Sequence, residues 1–193
     1  MTHSETLENI KNLLQGQRPG VLSPRGIGQA EKVALYLKDR RINNIYTSGM
    51  ERCAKAGEII AVYHPDSVVA KNNNLNARCL GIFEGMKKDE APWDDLNGGF
   101  FANRPDGGET LEETWDRINS FYDGVKNAPE ESTLLIIAHG ETAVLLGGIV
   151  HGYDLPTAYE KIPEPKKAEF SEYEICRGER AKTIKTNFGE HLL

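Results

Sequence analysis

Two histidines and one arginine stand where their side chains suit attack on phosphorus. His3 opens the frame Thr2-His3-Ser4-Glu5-Thr6, with Asn9 and Gln15-Gly16 following. His139 lies in Ala138-His139-Gly140, directly after the apolar run Thr133-Leu134-Leu135-Ile136-Ile137. An imidazole is largely unprotonated at neutral pH and can act as a nucleophile. Arg52 follows the Thr47-Ser48 turn near the start of a helical stretch, where a planar cation and free backbone N–H groups together suit an anion such as phosphate. The three positions are far apart in the chain, so the chemistry requires a fold that brings them together.

The surrounding pattern supplies such a fold. Ser23-Pro24 is a helix start, a capping side chain followed by proline at the first helical position. Ile27, Ala30, Val33, Ala34 and Leu37 recur at helical spacing, predicting a helix over 24–39. A strand is expected over 42–46, a helix over 48–63 with Arg52 in its first turn, and a strand over 68–70. Residues 72–108 are rich in Asn, Gly and Pro and read as a long excursion over the sheet. A helix marked by Leu111, Trp115, Ile118, Tyr122 and Val125 comes next. The run 133–138 reads as a strand buried on both faces, followed by a helix over 140–151 and a closing pair of strands over 169–176 and 182–187. Alternating strands and helices imply an α/β class, a three-layer α/β/α sandwich with a mainly parallel central sheet. Ligands in such sheets bind beyond the carboxyl ends of the strands, where His3, Ser48 with Arg52, and His139 are expected.

Composition narrows the options. The 193 residues, 39% hydrophobic and 27% charged, suit a soluble domain with a substantial core, and no interior linker divides 1–193. A net charge of −6 argues against a broad nucleic-acid surface, so phosphate chemistry needs a local basic pocket. Cys53, Cys79 and Cys176 are odd in number and widely spaced, which fits a reducing compartment rather than a disulfide framework. With no 18-residue apolar stretch and no signal-peptide core, the expectation is a cytoplasmic protein without a membrane partner.

In these blocks the chain resembles the histidine phosphatase superfamily, which includes cofactor-dependent phosphoglycerate mutases and fructose-2,6-bisphosphatases. The family opens with a strand ending in Arg-His-Gly-Glu-Thr-x-x-Asn and a later Gln-Gly; His3, Glu5, Thr6, Asn9, Gln15 and Gly16 take those spacings. Its Ser-x-x-x-Arg block is similar to Ser48 and Arg52, its Pro-Gly-Gly-Glu-Ser block to Pro105, Gly107, Gly108, Glu109 and Thr110 with one insertion, and its last strand-His-Gly block to His139-Gly140. The resemblance implies a phosphoglycerate mutase-like fold, His3 as the residue that takes up a phosphoryl group, and Arg52 and His139 as holders of its oxygens. Glu5, Asn9, Gln15, Gly16, Ser48, Arg78, Glu109 and Gly140 would line the substrate site. It also implies no cofactor and no metal, and a small phosphorylated metabolite as partner, on which 72–108 would act through Arg78, Trp93, Phe100 and Arg104.

Departures from the family pattern set up two functional expectations. Thr2 replaces the first-block arginine, Ser4 replaces the glycine after the nucleophile, and Ala77 in Leu75-Asn76-Ala77-Arg78 replaces the family's usual proton-donating glutamate. Arg78 or Arg25 are candidate replacement cations; Glu84, Glu109 and Glu141 are candidate proton donors. Each also has a plainer reading: Ser48 as a helix cap, Glu5, Asn9 and Gln15 as loop polars, Glu84 as structural, Glu109 and Glu141 as first-turn helix carboxylates. One expectation is a metal-independent phosphomonoesterase working through a phosphohistidine at His3, with mutase activity the lesser variant. The other is a catalytically silent relative that binds a ligand or partner. Only Met1-Thr2 precede His3, so the reading further expects an open central slot, a poorly supported nucleophile, and either residues upstream of Met1 or a decayed site. An unfilled sheet position would invite strand donation and a homodimer.

Overall fold

The computed structural model describes residues 1–129, 131–176 and 181–193. In chain order its elements are α1 (Leu7–Ile10), α2 (Pro24–Leu37), β1 (Asn44–Thr47), α3 (Glu51–Ala61), β2 (Val68–Lys71), α4 (Gly99–Ala102), α5 (Leu111–Val125), β3 (Leu134–Ile137), α6 (Gly140–Val150), α7 (Leu155–Lys161), β4 (Phe170–Glu174) and β5 (Lys182–Phe188). The central sheet is parallel in the order β2-β1-β3, with Ile45 opposite Val69 on one side and Leu135 on the other. β4 and β5 pair antiparallel as a closing hairpin.

Local chemistry accounts for the main helices. Ser23 Oγ accepts from Gly26 N at 2.9 Å ahead of Pro24, which starts α2. Thr110 and Glu113 form a reciprocal capping box that starts α5. α3 begins at Glu51 rather than 48, because Ser48 Oγ accepts from Met50 N in a turn and caps no helix. Three helices lie outside the expected set, one of them the single turn α4 within the excursion 72–108. α1 is held by a capping box between Thr6 and Asn9, and α7 by Asp154, whose side chain accepts from Thr157 N.

Strand alternation divides the core between the two faces of the sheet. Ile45 and Ile137, both 0% exposed, pack with Val33 of α2 and Ala56 and Ile60 of α3. Tyr46, Ile136 and Ala138 meet Phe121 of α5 and Leu146 of α6 on the opposite face. Burying each fully enclosed Ile, Val or Phe among these contributes about 1.5–3 kcal/mol. The result is a three-layer α/β/α sandwich around a parallel sheet, as the alternation of elements predicted. Among the described residues, no helix is long and apolar enough to cross a membrane.

The first residues complete one end of the sheet. Ala138 N donates to Met1 O (3.0 Å) and His3 N to Ala138 O (2.9 Å), while the Met1 amino group donates to Ile136 O. On the other side Thr2 N donates to Glu169 O and Ala168 N to His3 O. This double ladder corrects the expectation of a poorly supported nucleophile: His3 is tied on both sides and is 3% exposed. The expected slot does exist further back. A groove of ≈ 950 Å³ separates the start of β3 from β4, and Leu134, Leu135 and Ile136 are consequently half-buried, not sealed on both faces.

Candidate active site

Three strand ends bring the predicted chemistry together. His3 follows the short N-terminal ladder, His139 follows β3, and Ser48 with Arg52 follows β1. The His3 and His139 ring centroids lie 5.4 Å apart at 61°. Hydrogen bonds assign their tautomers. His3 Nδ1–H donates to the Ser4 carbonyl at 2.7 Å, leaving Nε2 with its lone pair free. His139 Nδ1 accepts from Arg52 Nη2 at 3.2 Å, and its Nε2–H donates to Ser48 Oγ at 3.0 Å. Both imidazoles are held well below their ordinary pKa, His3 by burial and then the charges of Lys167 and Arg52, His139 by burial and then Arg52. An uncharged imidazole with an open Nε2 is the form able to attack an electrophile.

Arg52 is 2% exposed and spends most of its donors on the loop after α1. Nη1 donates to Arg18 O and Nη2 to Gly16 O at 2.7 Å, leaving Nε without a partner. Ser4 Oγ and Gln15 Oε1 are likewise buried and unpaired. Native proteins rarely leave buried polar groups unmatched, so three close to two imidazoles mark a place for a polar ligand. Gly16 adopts φ +49°, and a Cβ there would collide with the Glu84 carboxylate, so this turn needs glycine. Cys53 lies behind His139, its thiol pushed up to about 11 by burial, and is not a nucleophile in this state.

Other residues expected at the site build its walls instead. Glu5 accepts from Ser23 Oγ and pairs with Arg25, which leaves the exposed Arg25 outside the hollow. Asn9 closes the α1 capping box. Glu84 accepts from Gln17 N and Leu80 N. Glu109 forms a double ion pair with Arg117, which also donates to Asn74, Asn76 and Ala77 carbonyls. Arg78 donates to Glu109 O and Asn103, with Trp93 beside its guanidinium. These bonds tie the excursion 72–108 to α5, so it is a braced wall. Gly140 is the first residue of α6, and a Cβ there would strike the Glu164 carboxylate. Glu141 follows it; burial raises its pKa, and Tyr159 OH donates to it at 3.0 Å.

Two contributors escaped the sequence reading. Arg117 carries no motif, and only its helical spacing from Glu109 hinted at the pair. Lys167 lies in a Pro-Lys-Lys stretch indistinguishable from a solvated loop, yet its charge acts on both histidines.

A family model described as the histidine phosphatase superfamily (branch 1) matches residues 1–185. A protein named probable phosphoglycerate mutase GpmB, from Escherichia coli O1:K1 / APEC, is 29% identical over 154 residues, covering 77% of this chain and 70% of that one. Among solved structures, the alpha-ribazole phosphatase of Shigella flexneri superposes with a TM-score of 0.86 at 20% identity, covering 97% of this chain and 94% of that one. A mycobacterial glucosyl-3-phosphoglycerate phosphatase complexed with VO3 gives 0.85 at 19% identity, covering 97% and 96%.

Proposed function

This chain belongs to the histidine phosphatase superfamily, and from that premise we propose that it is a metal-independent phosphomonoesterase acting on a small phosphorylated metabolite through a phosphohistidine at His3. The observation that carries the reading is the open Nε2 of a neutral His3 beside His139 and Arg52. Nε2 attacks phosphorus, forming a P–N bond as the ester P–O bond breaks. The departing alkoxide takes a proton from the Glu141 carboxyl, which burial keeps nearer its protonated form. Water then attacks phosphorus, the P–N bond breaks, inorganic phosphate leaves, and the proton returns to Glu141. His139 donates toward phosphoryl oxygens after exchanging its bond to Ser48, and Arg52 does so through Nε. The similar proteins named as a phosphoglycerate mutase and as phosphatases of phosphorylated small molecules support this substrate class, and the wall formed by 72–108 would select within it.

Incubation with p-nitrophenyl phosphate and sugar phosphates, beside His3→Ala, tests the reading. Wild-type turnover with a loss of ~10³-fold or more in the variant is expected. Equal rates in both proteins would sink it.

Specific observations favour the silent alternative. His3 and His139 are 3% and 5% exposed, Thr2 turns its hydroxyl to the Lys166 carbonyl, and Ala77 supplies no proton. Such a protein would gain thermal stability from a phosphorylated ligand with no product formed.

A further inference from the structure

The residue at position 2 is a threonine whose hydroxyl is bonded away from the hollow, and Arg52 has one donor left; the hollow therefore needs another source of positive charge. We propose that Lys167 is that source, a substrate-binding cation presented to the anion from the segment between α7 and β4. The inference rests on the phosphatase reading for the identity of the anion.

Placement comes first. Lys167 is bracketed by two contacts to the nucleophile's own strand: Thr2 Oγ1 donates to Lys166 O, and Ala168 N donates to His3 O at 3.2 Å. Ala168 takes φ +62°, a left-handed conformation that costs a non-glycine residue energy and turns the chain sharply into β4. The segment is thus held against the site by a side-chain hydrogen bond before Lys167 and a backbone one after it.

Charge comes second. Lys167 is half-buried, with no hydrogen bond or ion pair to any described residue. Its ammonium acts on His3 more strongly than Arg52 does, and it acts on His139 and Cys53 as well. Of the other cations whose charge reaches the imidazoles, Arg52, which acts on both, is committed to loop carbonyls, and Arg117, which acts on His139, to Glu109 and three carbonyls. Arg78 and Arg25 have partners elsewhere. Among these cations, and counting the described residues only, Lys167 is the one with three free donors. Burial lowers its pKa while Glu164, whose carboxylate stands over Gly140, raises it. A dianionic phosphate arriving at the N-terminus of α6 meets that ammonium in partly desolvated surroundings, where a charge-assisted bond is strongest.

Calorimetric binding of inorganic phosphate to wild-type protein, Lys167→Met and Lys167→Arg tests this, with an NMR titration of His3 in each. The methionine variant should weaken phosphate binding by ~10-fold or more, and the arginine variant should stay within a few-fold of wild type. The apparent pKa of His3 should rise in the methionine variant, where the Lys167 charge is lost and that of Arg52 remains, and not in the arginine variant. Unchanged phosphate affinity in a folded methionine variant would overturn the proposal, as would an unmoved His3 titration. Wild-type protein that binds no phosphate defeats the phosphatase reading instead; Lys167 would then still be judged by the His3 titration. A merely structural lysine would lower melting temperature and leave that titration where it was.

Discussion

The two edges of β3 are built very differently. Toward β1 the strand has an unbroken parallel register from Leu134 to Ile137, backed by α2 and α3. Toward the N-terminal segment only its last part is paired, at Ile136 and Ala138 with Met1 and His3, and a groove of ≈ 950 Å³ lies behind that. The completed stretch is the one that carries His3 and His139. Backbone pairing on both sides is what holds an imidazole at a fixed distance from its partner, and the chain provides it where the chemistry sits. The far end of the strand is stabilised by one edge alone.

Substitution tests that asymmetry most strongly. Ile137 is 0% exposed between β1 and α3, so Ile137→Ala should cost ~2–5 kcal/mol in urea denaturation. Leu134 borders the groove, half-buried, and Leu134→Ala should cost markedly less. Equal costs would mean that the groove is filled in solution. Thiol reactivity gives the next largest contrast. Cys53 is sealed beneath the paired end of the sheet, its pKa moved from 9.0 to about 11, so its thiolate is ~10²-fold scarcer than ordinary. Iodoacetamide should label exposed Cys176 well before Cys53. Early labelling of Cys53 would show that the paired end opens easily.

Acid should loosen the same end. His3 and His139 are held below 6.5 in the folded protein, so below that value the unfolded chain binds more protons. The two imidazoles' contribution is then full above about pH 6.5 and falls as pH drops, by up to about 1.4 kcal/mol per pH unit for each, while the Met1 amino group, lowered by burial from 8.0 to about 5, adds a like slope that begins below about pH 8. Denaturation midpoints across pH 5–8 should show this slope, and His139→Gln should flatten it. A slope indifferent to that substitution would place the acid sensitivity elsewhere.

Much of this architecture was legible in advance, because helix periodicity and caps are local signals. Ser23-Pro24 and Thr110 with Glu113 start α2 and α5 as their side chains dictate. The convergence of His3, Arg52 and His139 followed from their places at strand ends. Roles of single carboxylates were not legible: Glu84 and Glu109 differ from Glu141 only in the groups the fold sets opposite them, two backbone N–H groups, Arg117, and Tyr159 respectively. The half-burial of Leu134-Leu135-Ile136 was hidden for a related reason. An apolar run reports which residues favour burial, whereas burial itself depends on whether a neighbouring strand is present.

Hydrogen exchange resolves that last point residue by residue, with the smallest effect. Alternate residues of a parallel strand direct both backbone groups to alternate neighbours. Ala138 N and Ile136 O face the N-terminal segment, so the N–H groups of Leu134 and Ile136 point into the groove, and those of Leu135 and Ile137 point to β1. One backbone hydrogen bond contributes about 1 kcal/mol, so within this single strand the groove-facing amides should exchange ~5- to 10-fold faster than their immediate neighbours. Ala138, bonded to Met1 O, should match the slow pair although it faces the same side as the fast one. Uniform protection from Leu134 to Ala138 would mean that both edges of β3 are paired along their full length, and the contrast between them would disappear.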